Sequence, residues 1–541
     1  MRETVQMTGS ERALHVLNRL AFGPRPGDFE HVRAIGPEAW IHQQLNPESI
    51  EIPSSLVERV HDFRTLHMTP AALFVEYQRP IQMARRTNRD DKDDQKELRK
   101  RASIVIGEAV EARLIRAIEG PRQLQEVLTA FWFNHFNIFA GKGLCDVWTG
   151  SFEQEAIRPH TMGRFRDLLG ATARHPAMLF YLDNWQNTAP GAPGSKGKFE
   201  GINENYAREL MELHTLGVNG GYTQNDVIAL AHILTGWGLP RPGGNGGGGA
   251  RPSMDDGVEV FRNGPFMRRR MNRFDARPSY ASGAAFYFDA DRHDFSRKVL
   301  LGHTIEGGGE REVEQALDLL GQHPSTAKHI SYQLAQYFVA DEPPPELVAR
   351  MASRYAQTDG NIREVLATMF ASEEFWDPRN FRAKYKTPYE YVISSVRAAG
   401  VQVTNFRPLA GTMQLLGMPP YGCLTPNGYS NTQDAWLNPD SMMARLSFAT
   451  ALGNGSLPLE QPPFDPDADD NRGYFNKKGT SSIKLDTNPS RPGRKMDPLD
   501  APALAAGLGN AFSVKTQGAI ESAPPQLRAA LVLGAPEFMM R

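Results

Sequence analysis

The sequence predicts a mostly α-helical fold: a large irregular multi-helix body with a small β-hairpin element and a Gly/Arg-rich insertion. Three observations support this prediction. Apolar residues recur at helical spacing through most of the 541 residues. Capping residues and prolines mark the start of one helix after another. Period-2 alternation, which is typical of a strand, is clearest in the short stretch 284–295 (AAFYFDADRHDF).

The first hundred residues contain several signals for helix starts. Thr8 and Glu11 have the spacing of a capping box for a first helix. Asp28 is expected to cap the next helix, and Pro37 stands at the first position of another. The charged residues 85–101 are predicted to belong to a long polar helix, because their mixed signs suit a solvent-exposed face.

Changes in composition divide the chain into five regions. These are an N-terminal and central helical region (1–237), a Gly/Pro/Arg-rich insertion (238–285), a C-terminal helical region packed on the same body (286–457), a polar loop with a composition typical of disorder (458–500), and a closing helical segment (501–541).

The composition is typical of a soluble globular protein, with 40% apolar and 23% charged residues. Sixty basic and sixty-two acidic residues give a net charge of −2, which argues against a dedicated nucleic-acid binder. No apolar run approaches the roughly eighteen residues that a membrane span requires. The N-terminus lacks a basic segment followed by an apolar core, so the default expectation is a cytoplasmic protein. Whether Cys145 and Cys423 pair is left open.

The stretch NENYARELMELHTLGVNGGYT (203–223) is predicted to form a helix from Asn203 to Leu216 that ends at Gly217. On a helical wheel, one side is apolar and the other is polar. The apolar side carries Ala207, Leu210, Met211 and Leu213, and the polar side carries Asn205, Arg208, Glu209 and Glu212. The next helix is predicted to begin at Thr223, with Asp226 three residues on as in a capping box, and the Gly220-Gly221 turn makes the two helices a helical hairpin.

The polar side has two interpretations. It is either a solvated face with an Arg208–Glu212 ion pair, in which case His214 is a hydrogen-bonded core histidine, or it lines a buried polar cavity. The lack of lysine on this face favours the cavity, as does a second polar cluster upstream in YLDNWQN, which contains Asp183, Asn184 and Asn187. Candidate catalytic residues are therefore Glu204, Arg208, Glu209, Glu212 and Asp183, and Asn184, Asn187 and Asn205 are candidate substrate ligands.

Four potential metal ligands lie within six positions: Asp289, Asp291, His293 and Asp294. In a strand, the first three would share one face, so a divalent metal is a candidate cofactor. The spacing does not match an EF-hand loop, because Leu300 occupies the position of the final glutamate. A solvated turn with local side-chain hydrogen bonds is the alternative.

Three histidines and one loop complete the set of candidates. His135 has the position of a core histidine, and His175 and His323 each precede a proline, which suggests a common helix-start device. TPNGYS (425–430) and Trp436 would provide an amide-rich, aromatic wall for a sugar or peptide, with Asn427 and Tyr429 as ligands. An ordinary turn is the other interpretation, because Asn-Gly is a strong turn signal.

Several motifs, in this order along the chain, resemble those of an uncharacterised bacterial family called domain of unknown function 1800 (DUF1800). They are LNRLAFGPRPGD, FWFNHF, HPAMLFYLDNWQN, NENYARELMELHTLGVNGGYTQNDVIALAHILTGW, HDFSRKVLLG, HPSTAKHISYQLAQYFV, YKTPYEYV and PPYGCLTPNGYS. The resemblance implies a mostly α-helical protein and a partner that is commonly encoded nearby. This partner is a sulfatase-like protein of the DUF1501 type, which often carries a twin-arginine export signal. The resemblance implies no reaction and no catalytic residues.

Two functions follow as hypotheses. The first is a hydrolytic or metal-assisted enzyme with a carboxylate-lined polar cavity, acting on a saccharide or a related polar substrate. The second is a non-catalytic export or assembly partner of the DUF1501-type protein, in which case this chain would be exported together with its partner. A polysaccharide-binding module, suggested only by scattered aromatic residues, ranks below both.

Overall fold

The structure, a computed structural model, confirms the mostly α-helical fold. It describes residues 6–87, 92–193, 195, 201–240, 283, 285–460 and 496–541. Most of the predicted insertion and most of the predicted polar loop lie outside the described residues, as do four residues of the predicted long polar helix.

Thirteen helices lie in the described residues before the insertion. They are α1 (Gly9–Arg19), α2 (Asp28–Ile35), α3 (Pro37–Leu45), α4 (Ser54–His61), α5 (Pro70–Leu73), α6 (Arg79–Thr87), α7 (Lys92–Glu119), α8 (Gln123–His135), α9 (Cys145–Ser151), α10 (Phe165–Arg174), α11 (Pro176–Tyr181), α12 (Asn205–Glu212) and α13 (Gln224–Ile233).

The helices after the insertion continue to the last residues. They are α14 (Arg311–Gln322), α15 (Pro324–Phe338), α16 (Pro345–Gln357), α17 (Ile362–Phe370), α18 (Pro388–Ala399), α19 (Arg407–Leu415), α20 (Pro439–Gly453), α21 (Ala501–Gly507), α22 (Val514–Ser522), α23 (Pro525–Leu533) and α24 (Pro536–Met539). Short 3-10 and π-helical turns connect several of the helices.

Four short strands form two antiparallel pairs in the described part of the chain. β1 (Trp237–Gly238) pairs with β2 (Tyr287–Phe288), and β3 (Lys298–Leu300) pairs with β4 (His303–Ile305). The strand predicted within 284–295 is therefore only two residues long, and the hairpin follows it. The pairing of β1 with β2 brings the two ends of the insertion together.

Several helices begin with the caps that the sequence predicts. Thr8 and Thr223 both form complete capping boxes, with Glu11 and Asp226 respectively. The two His-Pro pairs share one device, because the ring Nδ1 of each histidine accepts a hydrogen bond from the backbone N–H two residues later, at Ala177 and Ser325. This acceptor satisfies one of the free N–H groups of the first helical turn.

Asp28 was predicted to be a helix cap, and this was wrong. It is the first residue of α2, after Gly27 in the left-handed conformation. Its carboxylate instead accepts hydrogen bonds from Arg25 and from the side chain of Arg397, far along the chain. A partner on a distant helix is not visible in the local pattern.

Two further properties concern membranes and cysteines. Among the described helices, none combines the length and the apolar character that crossing a membrane would require. Cys145 and Cys423 are both buried, and no disulfide joins them.

The buried apolar side chains form one continuous core that extends from α1 to α24. At its centre, α18 packs against α7 and is buried at every position from Pro388 to Ala398. A helix that is buried all round has no solvated face on which to place polar side chains. Every polar group on α18 therefore needs a partner inside the protein.

Glu390 on α18 shows how such a partner set is built. Its carboxylate accepts hydrogen bonds from the hydroxyl of Tyr337 at 3.0 Å and from the backbone N–H of Thr387 at 2.8 Å. It also pairs with the guanidinium of Arg541, with 3.1 Å between Nη1 and Oε1. The start of α18 is thereby tied to α15 and to the end of the chain.

A second buried network connects α7, α8 and the turn after α9. Glu153 is 1% exposed, and its carboxylate contacts Arg113, Arg158 and the hydroxyl of Tyr421. The guanidinium of Arg113 also lies over three aromatic rings. Glu126 on α8 pairs with Arg158 as well, at 2.7 Å, so two carboxylates compensate two guanidinium groups and the cluster is compatible with a buried position.

We expect Glu390→Gln to lower the free energy of unfolding by about 3–5 kcal/mol, because it leaves the buried Arg541 without its anion. Urea unfolding measures the change. Glu346→Gln is the matched control: Glu346 is exposed, so its replacement should change the free energy by less than about 0.5 kcal/mol. Equal stability of the two variants would contradict the expectation.

Candidate functional site

The candidate site is centred on α12, which is shorter than predicted. α12 begins at Asn205 and ends at Glu212, whereas the sequence predicts a helix from Asn203 to Leu216. The predicted sidedness is confirmed for most of its residues. The apolar side is buried within α12, at Ala207, Leu210 and Met211. On the polar side, Asn205 is exposed and the other three residues are half-buried: Arg208, Glu209 and Glu212. Leu213 lies beyond the end of α12 and is only half-buried.

His214 is buried, as the core interpretation requires. Its ring Nε2, however, has no hydrogen-bond partner in the part of the chain that the structure describes. Its backbone carbonyl faces the ring of His135, with 3.1 Å between O and Nε2. Burial lowers the pKa of His135 to about 3, so His135 is a neutral core histidine at physiological pH.

The N-terminal end of α12 is fixed by the turn that follows α11. The backbone N–H of Asn203 donates to the side chain of Asn187 at 2.8 Å, and the amide of Asn205 donates to the carbonyl of Leu182 at 3.2 Å. The turn carries Asp183, whose φ is +60°. These contacts place the start of α12 beside the turn that carries Asp183. No local pattern in the sequence predicts that the two segments are neighbours.

Glu204, Arg208 and Gln224 form a closed ring of hydrogen bonds at the rim of the site. Arg208 donates to Glu204 and to Gln224 at 3.0 Å each, and Gln224 donates back to Glu204 at 2.8 Å. The predicted Arg208–Glu212 pair is not observed; Arg208 pairs with Glu204 instead. The side chains of Glu204 and Arg208 are 34% and 41% exposed, so their ion pair is a weak, solvent-screened one.

Glu209 and Glu212 lie in different environments. The hydroxyl of Tyr222 donates to the carboxylate of Glu212 at 3.3 Å. The carboxylate of Glu209 has no hydrogen-bond partner among the described residues. Burial, with a further contribution from the charge of Glu212, raises the pKa of Glu209 above its ordinary value. A carboxyl group with a raised pKa next to a second carboxylate is an arrangement that acid–base chemistry uses.

Asp183 holds a cation at the edge of the site. Its carboxylate pairs with the ammonium of Lys142 at 2.8 Å, and this ammonium also donates to the backbone carbonyl of Tyr181. Both side chains are more than a third exposed. Asp183 therefore contributes a solvent-accessible ion pair and not a buried charge.

Tyr181 connects α12 with the loop that contains the TPNGYS motif. Its hydroxyl donates to the carbonyl of Leu424 at 3.0 Å. Burial, followed by the charges of neighbouring groups that include Glu209, raises the pKa of Tyr181. The hydroxyl of Tyr181 therefore contacts the residue that precedes the TPNGYS motif.

Two asparagines of the FWFNHFN stretch hold this loop in place. Asn134 exchanges hydrogen bonds with the backbone of Tyr429, and Asn137 donates to the carbonyls of Cys423 and Thr425. Gly428 has a φ of +71°, and a Cβ at this position would lie 2.2 Å from the carbonyl oxygen of Asn134. Only glycine fits such a close approach.

The predicted substrate ligands are divided between buried and accessible positions. The amide groups of Asn184 and Asn187 are buried and donate to backbone carbonyls at the end of α13 and in β1. The indole of Trp436 is mostly buried and donates to Ser430, and the hydroxyl of Tyr429 donates to Pro419. Asn427 and Asn205 are exposed. Substrate binding by all six residues stays a prediction.

The structure does not bring the four predicted metal ligands together around one point. The stretch after β2 forms a 3-10 turn, from Ala290 to Arg292, and not a continuous strand, so the side chains do not share a face. Asp289 pairs with Arg292 and accepts from the backbone N–H of Asp291, and Asp294 lies 2.7 Å from the ring of His232. Among the described residues, no group of three or more His, Cys, Asp and Glu side chains is placed to hold a metal ion.

His293 belongs to a fully buried network. Its Nε2 lies 2.9 Å from Glu312, and its Nδ1 lies 2.7 Å from the carbonyl oxygen of Thr235. The ammonium of Lys298 donates to the same Glu312 at 2.6 Å. Although burial opposes ionisation, the hydrogen bonds from His293 and Lys298 hold the pKa of Glu312 below its ordinary value. The network attaches β3 and the start of α14 to the end of α13.

The sequence analysis did not identify Lys142, Tyr181, Tyr222 and Gln224 as residues of the site. Tyr222 and Gln224 were within reach, because the predicted helical hairpin returns them to the polar side of α12. Lys142 lies about forty residues before Asp183, in a loop without a motif, so no local signal indicates their contact.

Comparison with known protein families decides the membership of the chain. A family described as "Protein of unknown function (DUF1800)" matches residues 15–540, nearly the whole chain. The chain belongs to this family. No curated protein and no solved structure matches the chain. Membership in DUF1800 therefore brings no reaction, substrate or partner, and a functional argument has to start from the contacts above.

We expect Glu209→Gln to raise the free energy of unfolding at neutral pH and to leave it unchanged in acid. The pKa of Glu209 is raised in the folded protein, so above that pKa the ionised carboxylate is less favourable in the folded state than in the unfolded state. Glutamine removes this cost. Below the unfolded pKa of roughly 4.3, both states carry the protonated group and the difference disappears.

Urea unfolding at a series of pH values measures this dependence. Glu51→Gln is the control, since Glu51 is exposed. A Glu209→Gln protein that is less stable than the wild type at neutral pH would contradict the expected sign.

Proposed function

We propose that this DUF1800 protein is a hydrolase in which Glu209 is the general acid. The observation that carries the proposal is the environment of Glu209: a half-buried carboxyl group with a raised pKa, without a hydrogen-bond partner among the described residues, beside a second carboxylate. Carboxylates in structural networks of this protein, such as Glu153 and Glu390, have cationic partners. Glu209 has none within ion-pair distance in the described structure.

The other residues of the site would have supporting roles. Glu209 donates its proton to the oxygen of the leaving group, and Glu212, oriented by the hydroxyl of Tyr222, accepts a proton from the attacking water. Glu204 and Arg208 keep the rim in place through their ring with Gln224. This division gives the two carboxylates opposite proton-transfer tasks, as hydrolysis of an acetal requires.

The proposed substrate is a saccharide or a related polar molecule. Three groups of the candidate site offer donors and acceptors for hydroxyl groups: the exposed Asn205 on α12, the Lys142–Asp183 pair, and the exposed Asn427 of the TPNGYS loop. Neutral amides and a compensated ion pair suit a polar uncharged ligand. A divalent metal at Asp289, Asp291, His293 and Asp294 has no part in this proposal.

We expect Glu209→Gln to lower kcat/KM by about 10²–10⁴-fold, the usual contribution of a general acid. The assay uses nitrophenyl glycosides, with nitrophenyl esters and phosphate esters as comparison classes. Because the acid has to be protonated, the rate should fall as pH rises through the raised pKa of Glu209. Glu212→Gln should remove the opposite limb of the pH profile.

Glu51→Gln is the matched control and should keep the wild-type rate. Two results would contradict the proposal: a wild-type protein that hydrolyses none of the three substrate classes, or a Glu209→Gln variant that is as active as the wild type. Circular dichroism of the variants shows whether they are folded.

A second function, that of a binding partner, is supported by an exposed apolar surface. The side chains of Leu437, Met443 and Leu446 at the start of α20 are exposed, Met443 to 65%, and the neighbouring α23 exposes Leu527 and Leu531. Clustered apolar side chains on a surface are typical of protein interfaces. As the alternative function, we propose that this surface binds a sulfatase-like DUF1501-type protein and that the two proteins are exported together.

If this alternative holds, replacing Met443 and Leu446 by glutamate should abolish co-purification with a tagged DUF1501-type neighbour, because charge is costly in an apolar interface. Val218→Glu is the control, since Val218 is exposed on a different surface, in the turn after α12. Equal recovery with both variants, or none with the wild type, would contradict the alternative.

A further inference from the structure

Five cationic side chains are buried around the N-terminal end of α18. Arg19 and Lys384 are 0% exposed, and Arg445 is equally inaccessible. Lys386 and Arg541 are also buried. A charge in the protein interior is costly unless an opposite charge or a set of hydrogen bonds compensates it.

Two of the five cations have an anionic partner. Lys384 pairs with Asp341, and Arg541 pairs with Glu390. Arg19, Lys386 and Arg445 have no carboxylate within ion-pair distance among the residues that the structure describes. Counted over side chains, the cluster therefore has three more cations than anions when all are ionised.

The three unpaired cations have only neutral contacts. Arg19 donates to the carbonyl of Asn380, and Arg445 donates to the carbonyl of Lys386 and lies over two tyrosine rings. The ammonium of Lys386 donates to the hydroxyl of Ser394 at 2.8 Å and lies 4.0 Å from the centre of the ring of Phe538. These contacts satisfy part of the hydrogen-bonding capacity but do not neutralise the charge.

Several N–H groups of the cluster also lack an acceptor. Among the residues that the structure describes, Nε and Nη1 of both Arg19 and Arg445 are buried without a hydrogen-bond partner, as is Nε of Arg541. Buried donors in native proteins are nearly always satisfied by protein, water or an ion. An anion is a suitable partner for unsatisfied donors that belong to cationic groups.

A small, partly enclosed cavity lies within the cluster. Its walls include Asn18, Tyr337, Lys386, Glu390 and Arg541. The cavity has room for about one water molecule. A monatomic anion is of similar size, whereas phosphate, sulfate or a carboxylate ligand is larger.

The charge on Lys386 responds to this environment. Burial lowers the pKa of Lys386 to about 7, although Glu390 acts in the opposite direction. Arginine cannot lose its proton at physiological pH. Arg19 and Arg445 therefore keep the cluster cationic even when Lys386 is neutral.

We propose that the cavity between Lys386 and Arg541 is a binding site for a small inorganic anion of halide size, chloride being the abundant example. Lys386 and Arg541 would contact the ion directly, and the charges of Arg19 and Arg445 would add to its attraction. The ion joins the start of α18 to α1 and α15, so it is a structural ligand of the core. This site is separate from the one around Glu209 and does not depend on the proposed hydrolase activity.

Thermal unfolding of the full chain tests the proposal. The melting temperature is measured in sodium chloride and in sodium bromide, and compared with sodium gluconate at matched ionic strength. The pH is kept below the pKa of Lys386 so that its charge is present. We expect Tm to rise with chloride and bromide and to saturate, because a ligand that binds only the folded state stabilises it. Gluconate, which is too large for the cavity, should give no such rise.

Lys386→Met removes one contact while keeping the length of the side chain, and it should abolish the halide-dependent rise in Tm. Lys328→Met is the matched control, because Lys328 is exposed and should keep the rise. A bromide anomalous peak in the cavity of the wild-type crystal would establish the position without any variant. Equal Tm in halide and gluconate, or bromide crystals without a peak in the cavity, would overturn the proposal.

Discussion

The rest of this structure depends on one constraint: a charge that the helical core removes from water has to find a partner there. α18 is buried on all sides, so it cannot place Glu390 or Arg397 in solvent. Glu390 is satisfied by Arg541, Tyr337 and Thr387, and Arg397 reaches the carbonyls of Gly23 and Ile118 and the carboxylate of Asp28. The partners of Arg397 lie 279–374 residues away in sequence, and Arg541 is the last residue, so pairing these charges also fixes how distant parts of the chain pack together.

The exceptions to this pairing are the sites where function is proposed. Glu209 is a half-buried carboxyl group without a cation within ion-pair distance among the described residues, and its pKa is raised, first by burial and then by Glu212. The cluster around Lys386 is the opposite case, because it has more cations than anions and a cavity between two of them. Proteins retain such unfavourable arrangements where a substrate or an ion completes them. The buried Glu312 is the contrasting case, because it contacts both Lys298 and His293 and its network needs no further ligand.

How far the sequence could predict this structure depends on how local each signal is. The capping boxes at Thr8 and Thr223 and the His-Pro helix starts involve residues two or three positions apart, and the structure confirms them. The polar and apolar sides of α12 follow from helical periodicity. The end of α12 was predicted four residues too late, because the apolar spacing continues through Leu216 after the backbone has left the helix.

Contacts such as Lys142–Asp183 and Tyr181–Leu424 join distant segments, and no periodicity in the sequence predicts them. His293 looked like a metal ligand because its partners, Glu312 and Thr235, are not its neighbours in sequence.

The central claim is that an unpaired, half-buried carboxyl group at Glu209 stays protonated to a higher pH than an ordinary glutamate does. The most direct measurement is a carbon-13 NMR titration of the glutamate side-chain carboxyl groups, with Glu209 assigned by its absence from the Glu209→Gln spectrum. We expect the Glu209 resonance to titrate clearly above the ordinary glutamate pKa of about 4.3. The resonance of Glu212 should shift again as Glu209 ionises, since the two charges interact. A Glu209 pKa at or below the ordinary value would mean that the carboxylate is solvated or paired, and it would contradict the proposed acid.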